Sequence, residues 1–145
     1  MPGTRRAKAA AAPPVVIPVA DGETPWTVAE LADIRTQLQD DVTASERKYL
    51  AAQAGLNQLL AEGTDVSGRD PADVGSTNFE RDQEMSLAAN AREVFEQSEL
   101  ALHLFDEGTY GVCEACGRPI GKARLQAFPR ATMCVTCKQR LERRS

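Results

Sequence analysis

The chain has four cysteines, Cys113, Cys116, Cys134 and Cys137, and they fall into two C-x2-C pairs separated by seventeen residues. Each C-x2-C turn can aim two thiolates at one ion, and two such turns close a tetrahedron. No coordination position is left for water, so the chemistry is structural rather than catalytic. The spacing predicts one structural Zn2+ per chain. Disulfides are the competing use of paired cysteines, but no feature of the sequence points to an oxidising compartment. Neither pair lies in the βαβ pattern of a dithiol redox site. Metal-bound thiolates can be oxidised with loss of zinc, so a redox-sensing zinc protein is one alternative function. The single histidine, His103, falls inside a predicted helix with no nucleophile placed to use it as a base, and no enzyme is expected.

The elements that must carry the cysteines are helical. Aromatic residues make up only 5% of the chain, while Ala, Leu, Glu, Gln and Arg are abundant in its middle. Thr24-Pro25 reads as an N-cap followed by proline at the first helical position, with Thr27 and Glu30 as a competing capping box one turn later. Leu31, Ile34, Leu38, Val42, Tyr49, Ala52, Leu56 and Leu59 then recur at helical spacing in a narrow stripe interrupted at Ser45. A helix from Pro25 to Glu62 would be about 57 Å long at roughly 1.5 Å per residue. Three glycines and a proline break the pattern between Gly63 and Gly75. Thr77 and Glu80 offer a second capping box. Ala88, Ala91, Phe95, Ser98, Leu102 and Phe105 continue a second stripe, with Leu87, Val94 and Ala101 beside it, until Gly108 stops it.

The expected fold class is therefore mainly α: a long antiparallel helical hairpin, or coiled coil, with a C-terminal four-cysteine zinc module and a short basic helix after Cys134. Its parts are a disordered Ala/Pro-rich tail over 1–23, a hairpin over 24–107 with its tip loop near 63–76, and the zinc module with its C-terminal helix over 108–145. Net charge is +1 over residues 1–23, −11 over 24–112 and +6 over 113–145. An acidic rod with a basic head should not lie flat on nucleic acid, but its two ends could reach different surfaces of one large partner. No apolar run is long enough to span a membrane. Arg5, Arg6 and Lys8 precede a stretch broken by Pro13, Pro14 and Pro18, which does not read as a signal peptide, so the cytoplasm is expected.

The segment from Tyr110 to Lys138, YGVCEACGRPIGKARLQAFPRATMCVTCK, resembles the DksA/TraR family of bacterial RNA polymerase-binding regulators. The resemblance is carried by Tyr110-Gly111, Cys113 to Gly117, Ile120-Gly121, Arg124-Leu125, Ala127, Pro129 and Cys134 to Lys138. With the helical hairpin it covers about residues 26–145 and leaves the N-terminal segment unexplained. It implies a rod that enters the secondary channel of RNA polymerase, tip toward the active centre and zinc end at the rim, and that alters promoter complexes without reading a DNA sequence. The family's tip motif, D-x-x-D-x-A, is matched by Asp70 and Asp73, with Gly75 in place of the alanine. On elementary grounds these two could equally be a helix cap and a solvated turn residue. Lys138 and Arg124 are the expected phosphate or polymerase contacts.

The resemblance also brings guanosine tetraphosphate as an effector, held by basic residues on the second helix. Here the matching stretch, Asn90 to Gln97, holds Arg92 but also Glu93 and Glu96. A polyphosphate needs several cations, so little response to that nucleotide is expected. The remaining alternative is a GATA-like zinc-finger DNA-binding protein using Lys138, Arg140, Arg143 and Arg144. The hairpin charge of −11 opposes it.

Overall fold

The computed structural model describes residues 16–62 and 70–144. Within them the chain forms α1 (Val28–Glu62), α2 (Pro71–Glu107), α3 (Lys122–Ala127) and α4 (Val135–Arg143). The first two are the hairpin. They run antiparallel, as shown by the Arg35–Asp106 ion pair (3.1 Å) near one end and the Tyr49–Phe95 ring stack (5.9 Å between centroids) further along.

The helix starts differ from the sequence reading. At α1 the Thr27–Glu30 box prevails over Thr24-Pro25. The Thr27 N–H donates to Glu30 Oε1 and the Glu30 N–H to Thr27 Oγ1, at 3.3 and 3.1 Å, which satisfies two helix-end donors at once. At α2 the helix begins at Pro71, six residues before Thr77. Asp70 is its N-cap, accepting from the Ala72 N–H at 3.1 Å, and Pro71 costs no hydrogen bond in the first turn. Thr77 and Gly75 are thus inside a helix, and the Thr77 hydroxyl donates back to the Asp73 carbonyl. The part of the tip loop over 63–69 lies outside the described residues. At the far end Gly108 stops α2 as expected. It adopts φ 82°, its N–H donates to Phe105 O and the Thr109 N–H to Leu104 O, the paired bonds that close a helix C-terminus.

The stripe positions all face the seam. Ile34, Leu38, Ala88, Ala101 and Phe105 are buried, and Leu31, Val42, Tyr49, Ala52, Leu56, Leu59, Ala91, Phe95 and Leu102 are half-buried. Leu87 and Val94 point outward. Ser45, read as an interruption, is buried in the seam, as is Ser98. Each hydroxyl donates to a carbonyl of its own helix, Asp41 or Val42 for Ser45 and Val94 for Ser98, so neither is buried unpaired.

The core gathers at the cysteine end, where Ile34, Leu38, Ala101 and Phe105 of the hairpin meet Tyr110, Cys113, Ile120, Leu125 and Cys137. Ile17 belongs to it as well, only 5% exposed. The expected tail over 1–23 is corrected to that extent: residues 16–23 pack against the fold because Ile17 has an apolar seat, while 1–15 lie outside the described residues. Lys122 pairs with Glu30 of α1 and is the first cause of a lowered Glu30 pKa. Since the folded value is depressed, that stabilisation is complete above the ordinary carboxylate range and is lost as acid protonates the group.

The seam has no room for a larger side chain at Ser98, which is fully buried. Ser98→Leu should destabilise the hairpin by about 1–3 kcal/mol through overpacking, whereas Ser98→Ala should change little. Urea unfolding followed by circular dichroism measures both.

Candidate metal centre

The two cysteine pairs are presented by different local structures. Cys113 to Arg118 is a tight turn closed by Gly117 N–H to Cys113 O (2.9 Å) and Cys113 N–H to Arg118 O (2.8 Å). Gly117 has φ 74°, a conformation that glycine adopts without steric cost. The second pair uses a helix. Cys134 is the N-cap residue of α4 and Cys137 lies in its first turn, with Lys138 N–H to Cys134 O at 3.0 Å. The positive end of the α4 dipole therefore faces the sulfurs, which favours thiolate there.

The segment between the pairs ties these pieces together. The Glu114 N–H donates to Thr132 O, Tyr110 Oη to Pro129 O and Arg124 Nε to Met133 O, at 2.9, 2.7 and 3.0 Å. Arg124 thus braces the loop that delivers Cys134. α3 supplies the fully buried Leu125 beneath this loop.

The four sulfurs lie within 4.8 Å of one another, and the Cys116 and Cys134 sulfurs are 3.9 Å apart. Zinc–sulfur bonds of about 2.3 Å imply tetrahedron edges near 3.8 Å, so the donors fit the ion. Their acid–base chemistry agrees. Burial resists charge on Cys113, but the amides of Cys134, Cys116 and Ala115 outweigh it and bring the thiol down to about 6. Cys137 moves the other way, up to about 12, chiefly through hydrogen bonds with the Cys134 and Cys116 sulfurs. Without a cation the first thiolate suppresses the last; a divalent ion lets all four ionise. Cys113, Cys116, Cys134 and Cys137 could together hold one structural zinc, with all four tetrahedral positions taken by protein sulfur.

Asp70 and Asp73 are exposed at the opposite end of α2, about 50 Å from the cysteines by the helix rise. Lys138 lines a cleft of about 690 Å³ beside the zinc module, together with Arg124, Arg130, Gln97, Asp41 and Glu142. Glu93 and Glu96, from the stretch that matches the family's nucleotide-binding helix, line a different groove with Tyr49 and Met85, and Glu96 pairs with Arg92 at 2.9 Å. One helical turn separates Glu93 from Gln97, and that is enough to take its carboxylate out of the Lys138 cleft. His103 sits on an exposed face and pairs with Glu107. Three residues that hold the zinc end in place, Ile17, Glu23 and Lys122, were not singled out from sequence. Their partners are some hundred residues away in the chain, as in the Glu23 bond to the Lys122 amide.

One zinc per chain should be found by elemental analysis of reduced protein. Structural zinc binds such modules with about 10–16 kcal/mol of apparent free energy. Chelation should therefore melt residues 110–143 while most of the α1–α2 circular dichroism signal survives.

The description "Prokaryotic dksA/traR C4-type zinc finger" fits residues 108–143. The chain is 41% identical over 75 residues to the RNA polymerase-binding transcription factor DksA of Caulobacter vibrioides, covering 52% of this chain and 53% of that protein. It thus spans about half the length of the curated DksA relatives it matches. A longer match, 32% identical over 115 residues, is to an uncharacterised protein of Aquifex aeolicus and covers 79% of this chain and 78% of the other. Among solved structures, transcription factor DksA2 from Pseudomonas aeruginosa superposes with a TM-score of 0.63 at 26% identity, over 81% of this chain and 86% of that one. The zinc module, the antiparallel hairpin and these likenesses together show that the chain belongs to the DksA/TraR family.

Proposed function

We propose that the protein is a transcription regulator that binds RNA polymerase directly, inserting the hairpin into the secondary channel and resting the zinc end at the rim. The observation that carries this reading is the separation of parts along one rod. An exposed acidic pair, Asp70 and Asp73, stands at one end of α2, and a positively charged metal module stands at the other. A pair of seam-packed helices can cross a narrow channel without exposing unpaired backbone. Asp70 is fastened as the cap of α2, so both carboxylates are carried on a stiff end rather than on a loop. The names of the DksA relatives supply the partner. The role is binding and not catalysis, in the cytoplasm where that partner works.

The DNA-binding reading is less well supported. Arg140 and Arg143 crowd the end of α4, but the rod behind them carries a charge of −11 over residues 24–112. Binding to bare duplex across a salt series separates the two, because a DNA reader loses affinity steeply as salt rises.

Replacing both tip carboxylates, Asp70→Asn with Asp73→Asn, removes two charges and preserves size. Pull-down of core polymerase should be largely retained, since the arm and the rim end make most of the contact. The effect on transcription in vitro should fall at least about tenfold, as for loss of one charge-assisted contact. Unchanged regulation by this variant would reduce the pair to a cap and a solvated turn residue.

The nucleotide is a separate question. The Lys138 cleft brings three cations together, but Asp41 and Glu142 line it too, and Arg124 is engaged by the Met133 carbonyl. A polyphosphate would meet carboxylates as well as cations there. Guanosine tetraphosphate should therefore change the protein's effect on a sensitive promoter little, measured with a polymerase whose other nucleotide site is disabled. Strong synergy abolished by Lys138→Ala would contradict this.

A further inference from the structure

The zinc module follows the hairpin through one short turn. α2 ends at Glu107 and the chain turns through Gly108, φ +82°, with open space around the position of a Cβ. Neither α3 nor α4 lays an extended face against α1 or α2. The hairpin and the module also share an apolar cluster, in which Ile34, Leu38 and Phe105 meet Ile120 and Leu125, but apolar contact is non-directional, and the angle at a glycine-ended helix needs a directional attachment to fix it.

Residues 16–24 provide that attachment. Ile17 and Pro18 cross the module at Gly111, which has φ +91°; a Cβ there would come within 2.7 Å of Ile17 Cγ2 and 3.3 Å of Leu125 Cδ1. Glu23 then reaches the start of α3. Its Oε1 accepts the Lys122 N–H at 2.8 Å and its Oε2 the Ala123 N–H at 2.9 Å, while the Ala20 N–H closes the segment's own turn on Oε1 at 2.7 Å. In return the Lys122 side chain leaves the module and enters the other two parts. Its Nζ donates to Thr24 Oγ1 (3.2 Å) and Pro25 O (3.4 Å), pairs with Glu30 Oε2 (2.6 Å), and lies 5.7 Å from the centre of the Trp26 ring. Gln126 of α3 adds a bond to the same Glu30 carboxylate at 3.0 Å. Lys122 is only 9% exposed, so these bonds are made largely out of water. One cation from the module thus touches the N-terminal segment and the first turn of α1 at once.

We infer that residues 16–24 form a clamp that fixes the angle of the zinc module on the hairpin, with Glu23 and Lys122 as its positioning residues. The chain through Gly108 and the shared apolar cluster join the two bodies; the clamp adds the directional hydrogen bonds that fix the angle between them. It is a property of the isolated chain, whatever the chain binds. For a rod that meets one partner at both ends, it would set the distance and direction from head to tip.

The test is made on full-length, zinc-loaded protein by residual dipolar couplings of backbone amides. In the unaltered chain, couplings from α1 and α2 and from residues 110–143 should fit one alignment tensor. In a variant combining Glu23→Gln with Lys122→Met, the hairpin couplings should persist while those of the module shrink and require a tensor of their own. Exchange of the Lys122 and Ala123 amides should rise about tenfold, as expected for loss of a hydrogen bond to a charged group. A single tensor of unchanged magnitude fitting both parts of the double variant, with one zinc still bound, would overturn the clamp. If the double variant loses its metal, Glu23→Gln combined with Glu30→Gln, which weakens both sets of clamp bonds while keeping Lys122 in place, carries the same two outcomes.

Discussion

Four cysteine sulfurs within 4.8 Å of one another carry a charge that a cation must balance, and the cysteine end of the molecule is organised around that need. The residues from Tyr110 to Arg143 are too few to build a core of their own at ordinary burial. Zinc substitutes for the missing core by joining a glycine-closed turn to the N-terminus of α4. Once joined, the loop between them can press Leu125 and Ile120 against Phe105, Tyr110 and Leu38. The metal is therefore a cross-link whose effect extends past its ligands, because the apolar core cluster is completed by residues that the cross-link positions.

From that anchored end the hairpin extends with fewer fully buried side chains, Ala88 being the outermost of them. Its first turns are sealed by Ile34, Leu38 and Phe105, its middle by Ser45, Ser98 and the Tyr49–Phe95 stack, and its outer part by half-exposed leucines and alanines. The arrangement suits a rod whose stiffness comes from helix pairing and whose surface must remain acidic and solvated. Charge divides in the same way as structure, with −11 over residues 24–112 and +6 over 113–145 before the metal is counted. Four thiolates and one Zn2+ lower the second figure to about +4, so the head stays basic when loaded.

Much of this was legible from residue spacing. The apolar stripes located both long helices because a seam of two helices repeats every three or four residues, and the cysteine spacing located the metal because ligand geometry is local. Three features were not legible. The choice between Thr24 and Thr27 as the start of α1 turned on Lys122, which takes the Thr24 hydroxyl and the Pro25 carbonyl from the far side of the sequence. The early start of α2 at Pro71 was masked by Gly75, a poor helix former that nonetheless sits in the helix. The packing of residues 16–23 was hidden by composition. Ile17 and Glu23 stand in an Ala/Pro-rich segment that reads as a tail, and only the folded module supplies the apolar seat and the two amides that they fill. Ser45 and Ser98 follow the same logic on a smaller scale, since a polar residue is admitted to a seam when its own helix satisfies the hydroxyl.

The central claim is that the far end of the rod reaches the interior of RNA polymerase while the zinc end stays outside. Photo-crosslinking from two positions measures this directly, with a photoreactive side chain placed at Val74 in the first turns of α2 or at Gln139 on α4. The account predicts that the Val74 probe labels polymerase segments lining the secondary channel near the active centre, and that the Gln139 probe labels only segments at the channel rim. Labelling of the outer surface from Val74, or the same segments reached from both positions, would contradict it.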